Sequence, residues 1–234
     1  MDDEELRRSA ALEQRHWWYS GRRALVRRLM KGVPAGGALD VGPGPGGNAV
    51  VLRDLGWQVT GVELTEVGAR LCAERGLDVV RGDATRLPVA DQSVDLVMST
   101  DVWEHVEDHE AVAAESFRVL RPGGRLLVAV PAGMELWSGH DVALGHVRRY
   151  ERQELLDLVE RHGFVVQDVA SWNVLLRPVA RLRRSRTAGA DDISEMERVA
   201  RPINAGLRAA VALESLLPVK RFRGLSLVIR AVRP

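Results

Sequence analysis

Cysteine is nearly absent from the 234-residue sequence, in which Cys72 is the single example. One thiol excludes an internal disulfide and a cysteine-based metal cluster. Neither sign of charge dominates, since 33 basic residues are balanced by 32 acidic ones. A formal net charge of +1 argues against a protein built to coat nucleic acid, so we expect no nucleic-acid partner.

Long apolar runs are also lacking, and none approaches the roughly 20 residues that span a bilayer. The opening residues Met-Asp-Asp-Glu-Glu do not resemble a secretory signal, so we expect a cytoplasmic protein. Lysine is scarce, because only Lys31 and Lys220 interrupt a basic complement made of arginine. This bias is typical of GC-rich coding, and an association with natural-product biosynthesis is expected on that ground alone.

What is present is an alternation of strand and helix patterns. Short apolar runs with strand character are followed by segments of helical spacing, which predicts a doubly wound α/β fold with a mostly parallel sheet. The predicted strands are 38–41, 58–62, 77–81, 94–99, 125–130, 164–169 and 225–232. The predicted helices are 4–30, 48–55, 66–75, 108–120 and 151–162, with an Arg-rich helical insertion at 172–218.

A glycine-rich run follows the first predicted strand. Gly42, Gly44 and Gly47 fit the dinucleotide fingerprint GxGxxG, whereas Gly42, Gly44 and Gly46 fit the GxGxG of methyltransferases, so the glycines leave both cofactors open. Asp40 discriminates between them, because it would repel a pyrophosphate and attract the ammonium and sulfonium groups of S-adenosylmethionine (SAM). An Asp40 that merely caps the turn or the helix is the alternative.

Polar residues also end the next three predicted strands. Glu63 can accept hydrogen bonds from both ribose hydroxyls, a feature that NAD enzymes share. Asp83, which precedes Ala84, can meet an adenine amino group, and Ser99-Thr100 end the fourth strand. These positions predict an adenosine cofactor site at one edge of the sheet.

Five motifs occur in order: Leu-Asp-Val-Gly-Pro-Gly-Pro-Gly, Val-Glu-Leu, Gly-Asp-Ala, Val-Asp-Leu-Val-Met-Ser-Thr-Asp-Val-Trp-Glu-His-Val and Leu-Arg-Pro-Gly-Gly-Arg-Leu. Over about residues 35–170 the chain thereby resembles the class I SAM-dependent methyltransferases, in particular the branch with ubiquinone and menaquinone biosynthesis enzymes. The resemblance implies a seven-stranded sheet with one antiparallel strand, 225–232, paired with 164–169. It also implies one domain, with a lid (1–33), a SAM-binding core (35–170), an insertion (171–218) and that final strand.

The same resemblance implies how SAM is held, with S-adenosylhomocysteine as the product. Asp40 and the glycines hold the methionine end, and Glu63 holds the ribose. Asp83 and Ala84 hold the adenine. Leu64, Ser99 and Thr100 complete the predicted contacts. Pro43 and Pro45 depart from the pattern by removing two backbone donors, although the glycine donors remain.

The aromatic run at residues 16–19 is interpreted as part of a lid. Adjacent aromatic side chains cannot all face one core from a helix. Trp17 and Trp18, with Arg22, are therefore predicted to close over SAM, with aromatic faces near the sulfonium. A helix docked on the sheet by one tryptophan is the alternative.

The loop after the fifth predicted strand supplies the candidate catalytic residues. His146 or His140 would take a proton from the acceptor. His140, Asp141 and His146 offer few ligands at their spacing, so no metal site is predicted. The adjacent Glu104-His105 invites a general-base interpretation, but by the resemblance it is better read as shaping the cofactor end or capping the next helix.

The same loop supplies candidate substrate contacts. Arg148 or Arg149 would hold a carboxylate or phosphate, with Trp137 and Tyr150 beside them. Hydrogen bonding within the loop is the alternative for these residues. The predicted function is methyl transfer to an O, N or C nucleophile of a small molecule, such as a secondary metabolite, sugar or quinone-like acceptor.

The 172–218 segment carries the main alternative. A basic amphipathic segment can lie on an anionic membrane, which would suit a lipid or lipid-linked glycan as acceptor and would make the protein peripheral to the membrane. Packing on the sheet as a roof over the pocket, or a dimer contact, is favoured instead. A non-catalytic SAM-binding protein and an NAD-dependent dehydrogenase are the remaining alternatives. The sequence predicts no oligomeric state.

Overall fold

The computed structural model describes residues 3–184 and 199–234. Its strands form one seven-stranded sheet in the order β3-β2-β1-β4-β5-β7-β6. The strands are β1 (Gly37–Val41), β2 (Gln58–Glu63), β3 (Asp78–Arg81), β4 (Val94–Thr100), β5 (Leu120–Pro131), β6 (Val165–Trp172) and β7 (Ser226–Val232). The doubly wound α/β fold predicted from the sequence is confirmed.

One strand runs against the others, as predicted. β7 lies between β5 and β6 and is antiparallel to both, and Val228 pairs with Ala129 on one side and Ala170 on the other. All other neighbouring strands are parallel. The carboxyl ends of β1, β2, β4 and β5 therefore meet at one edge, where ligands bind in open α/β sheets.

Helices cover both faces of the sheet, which explains why the central strands are apolar on both sides. In β4, Leu96 and Met98 pack towards one core and Val97 packs towards the other. The helices are α1 (Asp3–Glu13), α2 (Trp17–Met30), α3 (Gly47–Asp54), α4 (Glu66–Ala73), α5 (His109–Val119), α6 (Gly139–Ala143), α7 (Arg152–Arg161), α8 (Arg177–Arg184) and α9 (Arg201–Glu214).

The predicted helix 4–30 is wrong as a single element. It divides into α1 and α2, because His16 takes an extended backbone conformation and its ring accepts a hydrogen bond from the Trp18 amide. An N-cap of this kind begins a new helix and turns the chain. The helix predicted at 108–120 ends at Val119, and β5 begins at once with Leu120.

The predicted helical insertion begins later than expected, since β6 extends to Trp172. It contains α8 and α9, and residues 185–198 lie outside the described residues. Within the described part of the chain, no helix is long and apolar enough to cross a membrane.

Candidate functional site

A tight glycine loop joins β1 to α3. Gly42, Gly44 and Gly46 all have positive φ angles, of 68°, 54° and 87°, which side chains other than glycine rarely adopt. A Cβ on Gly42 would overlap the Val102 side chain. The sequence needs glycine at these positions because the loop is left-handed and closely packed against the start of the segment after β4.

Asp40 is buried at the end of β1, directly before this loop. Its Oδ2 atom finds no hydrogen-bond partner among residues 3–184 and 199–234. Burial raises the pKa of Asp40 well above its usual value, and the nearby carboxylates of Glu63 and Glu13 raise it further. A buried acid with an unsatisfied oxygen and two acidic neighbours favours a cationic ligand.

Glu63 ends β2 and faces the glycine loop. Its Oε2 accepts a hydrogen bond from the Gly44 amide at 3.1 Å, and its Oε1 accepts from the amide and hydroxyl of Thr65 at 3.0 and 2.9 Å. The side chain is therefore held in place at the position predicted for the ribose contact. A ribose hydroxyl would share or replace one of these donors.

The remaining predicted cofactor positions differ in exposure. Leu64 and Asp83 are exposed, and Ala84 is half-buried against the core. Asp83 Oδ1 accepts hydrogen bonds from the Thr85 amide and hydroxyl, each at 2.8 Å, so it organises the turn after β3. These positions form the outer end of the predicted site.

Ser99 and Thr100 lie at the inner end. Ser99 is fully buried, and its hydroxyl donates to the Val41 carbonyl at 3.4 Å. The Thr100 hydroxyl accepts from the Asn48 side chain at 3.0 Å, which ties β4 to the first turn of α3. Asn48 and Thr100 line the central cavity described next, whereas Ser99 supports it from below.

A cavity of about 590 Å³ opens beside the glycine loop, and we call it the central cavity. Its floor includes the loop residues Gly42–Pro45, and its walls carry polar side chains from several segments, among them Glu13, Arg22, Asn48 and His146. Its roof is largely apolar and comes from Leu176, which precedes α8, from Val179 and Arg183 of α8, and from Ile203 and Leu207 of α9. The cavity thus combines charged groups near the loop with a largely apolar roof, as binding sites for organic ligands do.

The N-terminal helices close one side of the central cavity. Leu6, Glu13 and His16 line it from α1 and the turn that follows. The buried Glu13 carboxylate packs against Gly47 at the start of α3 and forms an ion pair with Arg75. No sequence signal pointed to Glu13, because its role depends on how α1 docks.

Arg22 and two tryptophans fasten α2 beside the cavity. The Arg22 guanidinium lies 4.4 Å from the Trp172 ring centre and 5.3 Å from that of Trp18, and the two indoles meet edge to face at 4.9 Å. Trp17 packs against Trp18 at 5.6 Å. Trp17, Trp18 and Arg22 all line the cavity, so α2 is docked against β6 through Trp172 and also faces the candidate site, while closure over SAM stays a prediction.

Asp141 organises the loop that carries the candidate catalytic histidines. Its fully buried carboxylate accepts from His146 Nδ1 at 2.9 Å and from Arg149 Nε at 2.8 Å. His140, His146 and Arg149 all line the central cavity. The structure therefore brings both predicted bases and one predicted arginine to the site, although their chemical roles stay predictions.

Glu104 and His105 also reach the cavity, from the short 3-10 helix Trp103–His105 after β4. Burial raises the pKa of Glu104 well above its usual value, and the charge of Asp101 adds to the effect. Burial, followed by the neighbouring His146, lowers the pKa of His105 to about 4. The sequence favours a shaping role for these residues, and only the fold reveals that they lie beside His146.

Three predicted substrate residues lie outside the lining of the cavity. Arg148 donates to the carbonyls of Val106 and Glu107, each at 2.9 Å. Tyr150 is fully buried and donates to the Trp103 carbonyl at 3.2 Å, and burial raises the pKa of its hydroxyl. Trp137 is half-buried beside the loop. Their contact with substrate remains a prediction, and in the structure the first two brace the 3-10 helix.

Comparison with known proteins agrees with this geometry. Residues 39–128 match the family model described as a methyltransferase domain. A probable SAM-dependent methyltransferase of Mycolicibacterium smegmatis is 32% identical over 161 residues, which are 67% of this chain and 63% of that protein. A probable SAM-dependent methyltransferase of Mycobacterium tuberculosis is 29% identical over 182 residues, or 76% of this chain and 66% of that one.

The fold has a solved counterpart in a SAM-dependent methyltransferase from Mesorhizobium loti. The TM-score is 0.65 at 17% identity, over 94% of this chain and 100% of that one. The chain spans just under two thirds of the length of the two mycobacterial relatives. Residues 39–128 therefore belong to the methyltransferase-domain family, and the chain is similar over most of its length to SAM-dependent methyltransferases, with one of which it shares its fold.

Proposed function

We propose that this protein transfers the methyl group of SAM to a small-molecule acceptor bound in the central cavity. The buried carboxylate of Asp40, unsatisfied within the described residues and adjoining the glycine loop, is the observation that carries the proposal. A cationic cofactor there would replace the mutual repulsion of Asp40, Glu63 and Glu13 with attraction. The residues present therefore fit SAM better than a pyrophosphate cofactor.

Each part of the site has a proposed task. Asp40, Gly42, Gly44 and Gly46 bind the methionine end, and Glu63 binds the ribose. Leu64, Asp83 and Ala84 enclose the adenine, while Ser99 and Thr100 support the inner wall. SAM supplies an electrophilic methyl group on a sulfonium, so the chain must mainly hold the acceptor in line and exclude water.

The proposed lid and the loop after β5 would hold the acceptor in line and exclude water. Trp17, Trp18 and Arg22 close one side of the cavity, and Arg149 presents a cation from the opposite loop. His146 and His140 are the predicted bases for an acceptor that arrives protonated. The proposed lid (1–33), core (35–170), insertion (171–218) and final strand (225–232) act in this scheme as one domain.

Calorimetry with SAM tests the cofactor assignment. Asp40→Asn should weaken SAM binding about 10- to 100-fold, because a charge-assisted hydrogen bond contributes about 1.5–3 kcal/mol. Asp78→Asn is the matched control, since Asp78 is an exposed acid at the opposite end of a strand. Equal affinity in the Asp40 variant and the control would refute the assignment.

Methyl-labelled SAM then identifies the acceptor class. The purified protein would be incubated with the labelled cofactor and with fractions of an extract of its source organism. Label in the small-molecule fraction is expected. Label in RNA or protein would overturn the proposed acceptor class.

The roof of the cavity favours one second candidate, an acceptor carried by a membrane lipid. α8 presents Val179 and Leu182 with exposed apolar surface beside its arginines, and Ile203 of α9 is also exposed. A basic amphipathic helix of this kind binds anionic bilayers. If the lipid candidate is correct, anionic vesicles should sediment the protein, Leu182→Asp should abolish sedimentation, and Val165→Asp on β6 should not.

A further inference from the structure

Glu104, His105 and His146 form a cluster on the wall of the central cavity that the SAM contacts do not use. One potential metal-ligand atom of each residue lies within 4.8 Å of those of the other two. His105 and His146 also contact edge to face, with ring centres 4.7 Å apart. Two imidazoles and one carboxylate are a ligand set that binds divalent transition metals and leaves coordination positions open.

The hydrogen bonds around the cluster prepare both rings to act as ligands. His146 Nδ1 lies 2.9 Å from a carboxylate oxygen of Asp141, and His105 Nδ1 lies 3.3 Å from the Gly145 carbonyl. Both partners only accept hydrogen bonds, so each Nδ1 donates its proton to them and Nε2 is the ring atom left to bind a metal. Metal-bound histidines are held by outer carboxylate or carbonyl partners in this way.

The carboxylate of Glu104 and the ring of His146 do not satisfy each other's hydrogen-bonding capacity. His146 Nε2 is 4.0 Å from Glu104 Oε1, beyond hydrogen-bond distance. Glu104 is 1% exposed, and its Oε2 meets no hydrogen-bond donor within the part of the chain that the structure describes. Buried carboxylate oxygens nearly always have a partner, so the cluster is built for a cation.

The spacing suits a single ion. Two ligands about 2.1 Å from a tetrahedral zinc ion lie about 3.4 Å apart, so the ligand atoms must close by up to about 1.4 Å, which side-chain torsions allow. In the sequence, the spacing of His140, Asp141 and His146 disfavours a metal site. The fold instead brings Glu104 and His105, which follow β4, next to His146. Asp141 contacts the other ring nitrogen of His146.

We propose that Glu104, His105 and His146 bind one divalent transition-metal ion, which takes an oxygen atom of the methyl acceptor as a further ligand. The metal binding stands independently, whereas its role towards the acceptor rests on the proposed methyl transfer. The acceptor is then an alcohol or phenol. Its hydroxyl proton passes to bulk water as the acceptor enters and binds the metal, its oxygen then forms the new bond to the methyl carbon, and the electron pair of the C–S bond stays on sulfur.

In this arrangement His146 holds the metal and is not the general base. A Lewis acid beside the acceptor lowers the pKa of the bound hydroxyl, so that no protein base is needed. The proposal narrows the acceptor nucleophile from O, N or C to O.

Metal titration of the full-length protein tests the site. After treatment with EDTA, the protein would be titrated with Zn²⁺ by calorimetry and with Co²⁺ by visible absorption. One ion per chain is expected, with the intense visible bands of low-coordinate Co²⁺. Glu104→Gln and His146→Gln should weaken binding at least about tenfold, as loss of a metal-site group does.

His162→Gln is the matched control, because His162 pairs with Glu110 on the far side of α5. Thermal unfolding of each variant checks that it folds. Failure of the protein to bind Zn²⁺ or Co²⁺, or equal binding by the control and both variants, would overturn the metal site.

SAM affinity separates this proposal from the proposed function. The EDTA-treated protein should bind SAM with unchanged affinity and regain methyl transfer when metal is added. Full activity without metal would overturn the role assigned to the ion. A protein that binds the metal ion but binds SAM neither before nor after metal addition would instead refute the proposed methyl transfer and leave the metal site standing.

Discussion

Arg22 Nη2 lies 2.7 Å from Oδ1 and 2.9 Å from Oδ2 of Asp101, which joins helix α2 to the end of β4. Asp101 has a positive φ of 58°, and its amide donates to the Ala129 carbonyl at 2.8 Å. Non-glycine residues in this conformation cost free energy and persist where the surroundings enforce them. The ion pair therefore holds a strained residue at the edge of the central cavity.

Removal of Arg22 should destabilise the protein strongly. Arg22→Ala leaves the Asp101 carboxylate without its partner and removes the guanidinium that packs on both Trp18 and Trp172, so we expect a loss of about 3 kcal/mol in the free energy of unfolding. Arg22→Lys keeps the charge but loses the planar stacking, so its free energy of unfolding should lie between those of the wild type and Arg22→Ala. Urea unfolding measures both effects.

The control for this pair is Arg27→Ala on the exposed side of the same helix. Arg27 lies 3.5 Å from Asp54 in a solvent-exposed pair, so its loss should cost less than about 1 kcal/mol. Similar costs for Arg22→Ala and Arg27→Ala would show that the Arg22–Asp101 pair does not fasten α2 to the sheet.

Asp40 should destabilise the ligand-free protein near neutral pH while it favours binding of the cofactor. Because its pKa is raised in the folded protein, the folded state binds more protons than the unfolded state at pH values above the usual pKa of 3.8. The free energy of unfolding of the ligand-free protein therefore falls as pH rises from about 4 towards the raised pKa. Asp40→Asn should remove this fall and raise the melting temperature near neutral pH.

Thermal unfolding between pH 4 and 8, with and without SAM, measures this trade. SAM should stabilise the wild type by about 1.4–2.7 kcal/mol more than Asp40→Asn, because a 10- to 100-fold weaker ligand adds less to the stability of the folded state. A ligand-free Asp40→Asn variant that melts lower than the wild type at neutral pH would contradict the repulsion between the three carboxylates.

Gly42 should be sensitive to a single added methyl group. Gly42→Ala combines a positive φ with overlap against Val102, whereas Gly123→Ala has a positive φ and no atom within 4 Å of its Cβ. We expect Gly42→Ala to cost about 1–3 kcal/mol more than Gly123→Ala in urea unfolding, because of the overlap. The double variant Gly42→Ala, Val102→Ala should recover most of that difference, and no recovery would place the strain elsewhere.

Cys72 should report on the glycine loop. Its thiol is buried and donates to the Gly44 carbonyl at 3.1 Å, and burial, followed by the charge of Asp40, raises its pKa from 9.0 to about 12. The thiolate fraction of Cys72 at pH 8 is therefore roughly a thousandfold lower than that of an ordinary exposed thiol, and its reaction with a disulfide reagent should be slower to the same degree. Reaction in the native protein as fast as in urea would contradict the packing of the loop.

Local sequence signals predicted most of the sheet and the loop that positions the site. The strands alternate with helices at spacings that allow few topologies, and the run from Asp40 to Gly47 carries its own backbone requirements. The boundary between α1 and α2 was missed because it depends on one histidine ring that caps a helix, which helical periodicity does not reveal.

The walls of the central cavity were harder to foresee for a different reason. Glu104 and His146 meet because the loop after β5 folds back on the 3-10 helix, where the Val147 amide donates to the Glu104 carbonyl at 2.8 Å. Such contacts join segments distant in sequence, and no local pattern encodes them. Arg148 illustrates the converse, since an arginine in a predicted substrate loop is used to hold backbone carbonyls.

The insertion of β7 between β5 and β6 gives the cavity roof a particular kind of freedom. Trp172 at the end of β6 is paired with Ser226 at the start of β7, so the whole segment that carries α8 and α9 leaves and re-enters the sheet at neighbouring points. Changes of length or composition between those points leave the strand ladder intact. The roof segment can therefore change while the strands stay in register, and we expect exchange of this one segment to reshape the central cavity on an unchanged sheet.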